Sequence, residues 1–221
     1  MEQPRLCRQS IIHTIMEEKY IISIGRQLGS GGREIAHILA QRLGIPVYDK
    51  KLLEVAAQET GLDTTVFENA DERESNPLVR GLIALKGALS TYPMGVGSCM
   101  DGDRLFELQS EVMRTLAEKE SCIIIGRCAE YVLRDHPRMY SIFITADMPD
   151  RIQRIMQHDG VDEARAKEIA AKGDKKRKAY HDYYANSGWG VADTYDLCIN
   201  SSRLGIEGSV DIIYRFIESR K

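Results

Sequence analysis

The chain has 221 residues, 43% of them hydrophobic and 29% charged. That ordinary globular composition excludes wholesale disorder, and the length fits one α/β or all-β domain, or two small ones. Thirty basic against thirty-three acidic residues leave a net charge of −3, which excludes the global basic field of most nucleic-acid binders but not a local anion site.

Met1 to Arg5 contain no apolar core of a signal peptide, so none is expected. No apolar run approaches the roughly 18 residues that span a bilayer. The cysteines Cys7, Cys99, Cys122, Cys128 and Cys198 are odd in number and form no Cys-x-x-Cys pair. Zinc and disulfide frameworks are therefore not expected, and a reducing cytoplasm is the natural compartment.

In chain order, residues 1–19 form an extension, helical around Ile11 to Glu18. Tyr20-Ile21-Ile22-Ser23-Ile24 then reads as a buried strand that stops at Gly25. Ile35, Ile38, Leu39 and Leu43 recur at helical spacing until Gly44. Ile45 to Tyr48 predicts a second strand, and Lys50 to Thr60 a helix. Residues 61–103 are too long for a structureless loop, and a helix is expected near Leu78 to Leu89. Leu105, Leu108, Val112 and Leu116 mark another helix, started by Asp101 or Asp103. Cys122 to Ile125 is apolar on both faces and reads as the strongest strand, and Met139 to Thr145 is the next. Asp147 and Pro149 have the chemistry of a helix start. Lys172 to Gly190, basic and then aromatic, does not match the core pattern. Leu197 to Ile199 gives a fifth strand, and Ile206, Val210, Ile213, Phe216 and Ile217 a closing helix. Strands buried on both faces and separated by helices predict an α/β fold with a five-stranded parallel sheet in three layers.

The most informative stretch is Gly25-Arg26-Gln27-Leu28-Gly29-Ser30-Gly31-Gly32-Arg33, between the first strand and the first helix. Successive N–H groups of such a turn surround a phosphate, and the helix N-terminus behind them adds partial positive charge. The alternative is a tight turn that binds nothing. A dinucleotide fingerprint requires glycine where Glu34 stands, so a dehydrogenase domain is excluded. A Walker loop requires Gly-Lys-Ser/Thr, and Gly32 and Arg33 follow Gly31 instead.

In this context the loop resembles that of the cytidylate kinase-like family, a branch of the P-loop nucleoside monophosphate kinases. The resemblance runs from about Tyr20 to Ile217. It rests on Ser23 to Ala36, on Val47-Tyr48-Asp49-Lys50-Lys51-Leu52-Leu53 and on Ile123-Ile124-Ile125-Gly126-Arg127. It continues through Asp150-Arg151-Ile152-Gln153-Arg154, Asp174-Lys175-Lys176-Arg177 and Asp196 to Ser202 with Ile206-Glu207. It implies the P-loop kinase strand order, a kinase-like domain over 20–221, an acceptor-side insertion over 61–103 and a lid over 160–190. It also implies ATP with Mg2+ and small nucleotide substrates, with no nucleic-acid or membrane partner.

The same resemblance assigns roles. Arg26, Gly29, Ser30, Gly31, Gly32, Arg33 and Arg151 would hold the donor nucleotide, with Ser30 adding its hydroxyl. Arg33, Arg127, Arg154 and Arg177 would clamp the transferring phosphoryl group, with Arg33 or Arg26 replacing the lysine charge. Asp49, Lys50, Arg127 and Asp174 would serve the acceptor, and no dedicated protein metal site is implied, although Asp49 is a candidate carboxylate for Mg2+. Each reading has a plainer counterpart. Arg127 would pair with Glu130 or Asp135, and Arg151 would lie on a solvated face. The lid run would be solvated, and Tyr180, His181, Tyr183, Tyr184 and Trp189 would be packing. Other acids are expected on the outer surface and the insertion. Cys128 stands where cytidylate kinases carry an aspartate. The activity expected is ATP-dependent phosphoryl transfer to a nucleoside monophosphate or similar phosphate acceptor. The alternative is a nucleotide-binding or regulatory module with a degenerate loop.

Overall fold

A computed structural model of the chain describes residues 19–51, 53, 102–185 and 187–220. The extension before residue 19, the helix expected near Leu78 to Leu89 and most of the 61–103 insertion lie outside these residues.

The strands are β1 (Ile21–Arg26), β2 (Val47–Tyr48), β3 (Cys122–Ile125), β4 (Met139–Thr145) and β5 (Leu197–Asn200). All pair in parallel, in the order β2-β3-β1-β4-β5. β1 lies at the centre, with Ile21 opposite both Cys122 and Met139. It runs two residues further than its apolar pattern predicts, ending on Arg26 instead of Ile24. That extension carries a guanidinium to the carboxyl edge of the sheet, where open α/β sheets place ligands.

The helices are α1 (Gly32–Leu43), α2 (Gly102–Lys119), the short α3 (Ala129–Val132), α4 (Met148–Asp159), α5 (Glu163–Tyr184) and α6 (Ser201–Glu218). Among residues 50–53, Lys50, Lys51 and Leu53 are helical. One core layer packs Ile35, Leu39, Val210, Ile213 and Ile217 of α1 and α6 onto Ile22, Ile24, Ile123, Ile125, Ile142 and Ile144. The opposite layer packs Val112, Met113 and Leu116 of α2 and Ala129 and Val132 of α3 onto Ile21, Cys122 and Ile124. Alternate residues of each strand serve opposite layers, the period of a sheet covered on both faces.

The segment Lys172 to Gly190, which the core pattern leaves unassigned, belongs for most of its length to α5. Helix α5 buries only Ala166, Ala170 and His181, so an amphipathic stripe is hardly visible in its sequence. Asp147 does occupy the N-cap position of α4, but its side chain makes no cap bond. It accepts instead from Asn200 Nδ2 at 2.9 Å and pairs with Arg203. Asn200 also accepts from Ser202 N at 2.9 Å, so one amide caps α6 and ties the start of α4 to it. Asn200→Ala is therefore expected to cost about 1–2 kcal/mol. Urea unfolding should show a lower midpoint with an unchanged slope.

Candidate active site

The glycine loop is built by hydrogen bonds that take its carbonyls from behind. Arg177 Nη1 donates to Arg26 O at 2.9 Å, and Ser30 Oγ to Gln27 O at 2.9 Å. Arg151 Nε donates to Leu28 O at 2.7 Å, and Arg154 Nη1 to Gly29 O at 3.1 Å. Ser201 Oγ holds Ser30 O at 2.7 Å, and Ile35 N bonds Gly31 O. Among the described residues, the N–H groups of Gly29, Gly31, Gly32, Arg33 and Glu34 have no acceptor. They line a cavity of about 1000 Å3 with Asp49, Lys50, Arg154 and Arg177. Free N–H groups at a helix N-terminus make an anion cradle.

Two expected ligand groups are used inside the protein. Arg151 lies on no solvated face, and its guanidinium does not reach the cavity. Its side chain is 4% exposed and meets Asp174 Oδ2 at 2.5 Å, while Asp174 Oδ1 accepts from Leu28 N. The pair thus holds both backbone groups of Leu28 and anchors α5 to the loop. The Ser30 hydroxyl is likewise turned inward, on a fully buried residue.

Gly32, at the Walker lysine position, has a steric cause. A Cβ there would lie 2.8 Å from Arg26 Cβ. Arg26 runs past Gly32, and its Nη1 lies against Gly126, leaving no room for a Cβ there either. Burial and the neighbouring Arg177 charge, partly offset by Asp49, push Arg26 down to about 9. A guanidinium in that state is short of negative charge. Arg33 is mostly exposed and bonds Asp49 Oδ2 at 2.8 Å. Among the described residues, no group of three or more His, Cys, Asp or Glu side chains is placed to hold a metal. Glu34, Asp49 and Asp159 border this cavity, Asp49 is engaged by an arginine and Asp159 lies against His158, and the described residues do not form a metal cage.

A second cavity, of about 430 Å3, opens between the ends of β1 and β3. Arg26, Leu28, Lys50, Ile125 and Arg177 border both cavities. Arg127 lines the second one. It pairs with neither Glu130 nor Asp135. Its Nε and Nη2 donate to Gln109 Oε1, at 2.9 and 2.5 Å, and its guanidinium lies 4.0 Å over the Tyr180 ring. Gly126, Arg127 and Cys128 have φ of 69°, 62° and 56°, three left-handed residues in succession. Two are not glycine, so the turn stores about 1–2 kcal/mol for each of them. That turn re-aims the chain between β3 and α3 and sets Arg127 on the cavity wall. Burial and the nearby Glu130 push the Cys128 thiol up to about 12, which keeps it neutral.

Not every acid lies on the outer surface. Glu130 borders this cavity with a side chain 10% exposed, accepting from Ser23 Oγ at 2.9 Å and meeting His181 Nε2 at 2.9 Å. The readable sign was Ser23, a hydroxyl among isoleucines on a central strand, which needs a buried partner.

A parallel sheet with this glycine loop at its central strand is the architecture of the P-loop kinases. A shikimate kinase from Bacteroides thetaiotaomicron shares that fold, with TM-score 0.50, 15% identity, and coverage of 90% of this chain and 98% of that one. An uncharacterized protein from Eubacterium ventriosum is nearer, with TM-score 0.70, 33% identity, and 91% and 99% coverage. A cytidylate kinase from Archaeoglobus fulgidus is 25% identical over 205 residues, 90% of this chain and 96% of the relative. The family model for the cytidylate kinase-like family matches residues 21–203, and the chain belongs to that family. Family and fold together are those of a kinase-like phosphotransferase.

Asp174→Ala would strand the buried Arg151 guanidinium and the Leu28 N–H together. A loss of about 3 kcal/mol in unfolding free energy is expected, with a calorimetric melt as the check.

Proposed function

We propose that the protein transfers a phosphoryl group from ATP to a nucleoside monophosphate. The carrying observation is the pair of cavities that meet at Arg26, Lys50 and Arg177. One holds the loop N–H groups for the donor phosphates. The other is lined by Arg26, Lys50, Arg127, Lys176 and Arg177 for the acceptor phosphate. Such transfer needs in-line positioning and positive charge on the phosphoryl oxygens, with little covalent work by the protein.

In this reading Gly29, Gly31, Gly32 and Arg33 bind the donor through backbone N–H groups. Arg26 takes over the charge that lysine supplies in a Walker loop, arriving from β1 and not from α1. Arg127, Arg154 and Arg177 surround the transferring group, with Asp49 and Lys50 at the cleft. Arg151 and Asp174 act as positioning residues for the loop and lid. Mg2+, when bound with ATP, supplies further charge neutralisation on the phosphate oxygens. Among the described residues no helix is long and apolar enough to cross a membrane. A cytoplasmic enzyme acting on small nucleotides fits this reading.

Gly32 in place of lysine favours a second reading, a nucleotide-binding module without turnover. A coupled ADP-release assay with ATP, Mg2+ and a panel of monophosphates separates the two. Acceptor-dependent ADP release that disappears in Arg127→Ala is the expected result. ATP binding by calorimetry without turnover on any acceptor would favour the binding module.

Arg26→Met is expected to lower kcat by roughly 10²–10³-fold. The same variant should melt no lower than the parent, because it removes a buried cation short of counter-charge. A large fall in both properties would show that Arg26 is only a structural prop.

A further inference from the structure

The acceptor-side cavity is chemically two-ended. Arg26, Lys50 and Arg177 stand where it adjoins the donor cavity. Away from that border its wall includes Cys128, Glu130, His181, Trp189 and Tyr195. Glu130 is the one carboxylate among the described residues that line it. A carboxylate offers about four lone-pair positions, and Ser23 and His181 occupy two. His181 is 5% exposed, and its Nδ1 has no hydrogen-bond partner among the described residues. The nearest carboxylate oxygen, on Asp182, is 3.7 Å away. One wall of the cavity therefore carries spare hydrogen-bonding capacity at two adjoining buried groups.

We infer that Glu130 is the specificity-determining residue of the acceptor site, accepting hydrogen bonds from the exocyclic amine of an amino-bearing base. This rests on the phosphotransfer reading above. Carboxylates accept from exocyclic amines and meet lone pairs at the oxygen that replaces the amine in the corresponding oxo bases. Ser23 on β1 and His181 on α5 hold the carboxylate from two sides, so it is fixed before a base arrives. Such a site rejects the oxo analogue, whose oxygen lone pairs would be pressed against a buried carboxylate with no donor between them.

The test compares the full chain with Glu130→Gln on two matched pairs, CMP with UMP and AMP with IMP. Acceptor-dependent ADP release and calorimetric binding of each monophosphate are measured for both proteins. The parent should prefer the amino member of one pair, and which pair identifies the base. The variant should lower that amino-to-oxo ratio by about tenfold or more, since a glutamine amide donates to the oxo base. Loss of packing alone would weaken both members equally and leave the ratio unchanged. An unchanged ratio in an active enzyme overturns the role of Glu130 and leaves phosphoryl transfer standing. Ratio-shifted binding without ADP release overturns phosphoryl transfer and leaves the recognition standing. No binding of any of the four overturns both. If Glu130→Gln does not fold, the parent is given the preferred amino monophosphate with its exocyclic amine dimethylated, which removes both donors. Binding about tenfold weaker than that of the unmethylated monophosphate supports the inference, and equal binding overturns it.

Discussion

The cleft depends on where the loop's carbonyls go. A glycine-rich turn has as many acceptors as donors, and it attracts anions only if the acceptors are occupied elsewhere. Here Arg177, Arg151, Arg154 and the Ser201 hydroxyl take carbonyls of residues 26–30 from outside the loop. These groups come from α4, α5 and the start of α6, so the cradle is a tertiary product and not a property of the loop itself. Three of the four bonds are charge-assisted, the stronger class. They bring positive charge close to the loop while polarising its peptides toward the free N–H side.

The same arrangement accounts for the missing lysine. A Walker lysine projects from the first turn of the helix, the place of Gly32. In this chain Arg26 comes into that space from the strand side, its Cβ 2.8 Å and its Cγ 3.2 Å from where a Cβ on residue 32 would stand. The two solutions are sterically exclusive: a side chain at 32 and arginine at 26 cannot share the volume. Where a Walker loop carries its cation on the helix, this chain carries one at the end of the strand. Arginine also differs from lysine in kind, since its planar fork can bridge two phosphate oxygens at once.

Much of the fold was legible because strands buried on both faces leave continuous apolar runs such as Cys122 to Ile125. The strand order follows from the family resemblance. The hinge points of the site were less legible. Ending β1 on Arg26 violates the apolar pattern, since the charged residue still pairs with β4 at Ile144. The left-handed run at Arg127 and Cys128 has no composition signal, because neither residue favours positive φ. Arg151 and Asp174 look like surface charges in one dimension, and only the packing of α5 on the loop pairs them. Asp49 and Arg33 show the reverse case, two residues expected at the site that meet each other there.

Helix α5 is held at two places, which bears on how the cleft handles water. Toward the loop, Asp174 and Arg177 bond Leu28 N and Arg26 O. Gly173 lets the helix approach there, because a Cβ would lie 2.6 Å from Leu28 Cδ2. Further along, Tyr184 stacks on Phe106 with centroids 4.0 Å apart, and the Tyr183 and Tyr184 hydroxyls donate to Asp103 on α2. Between these ties lie Lys176, Tyr180 and His181, which with Gly173 and Arg177 are the residues α5 adds to the smaller cavity. Phosphoryl transfer to a small acceptor competes with hydrolysis, so a roof anchored on both sides of the cavity has a direct chemical use. Opening it would break the Arg177 bond to Arg26 O and the Glu130–His181 contact together. Loop geometry and the wall of the smaller cavity are thus coupled through one helix, and the loop keeps its supports from α5 only while that helix covers the cavity.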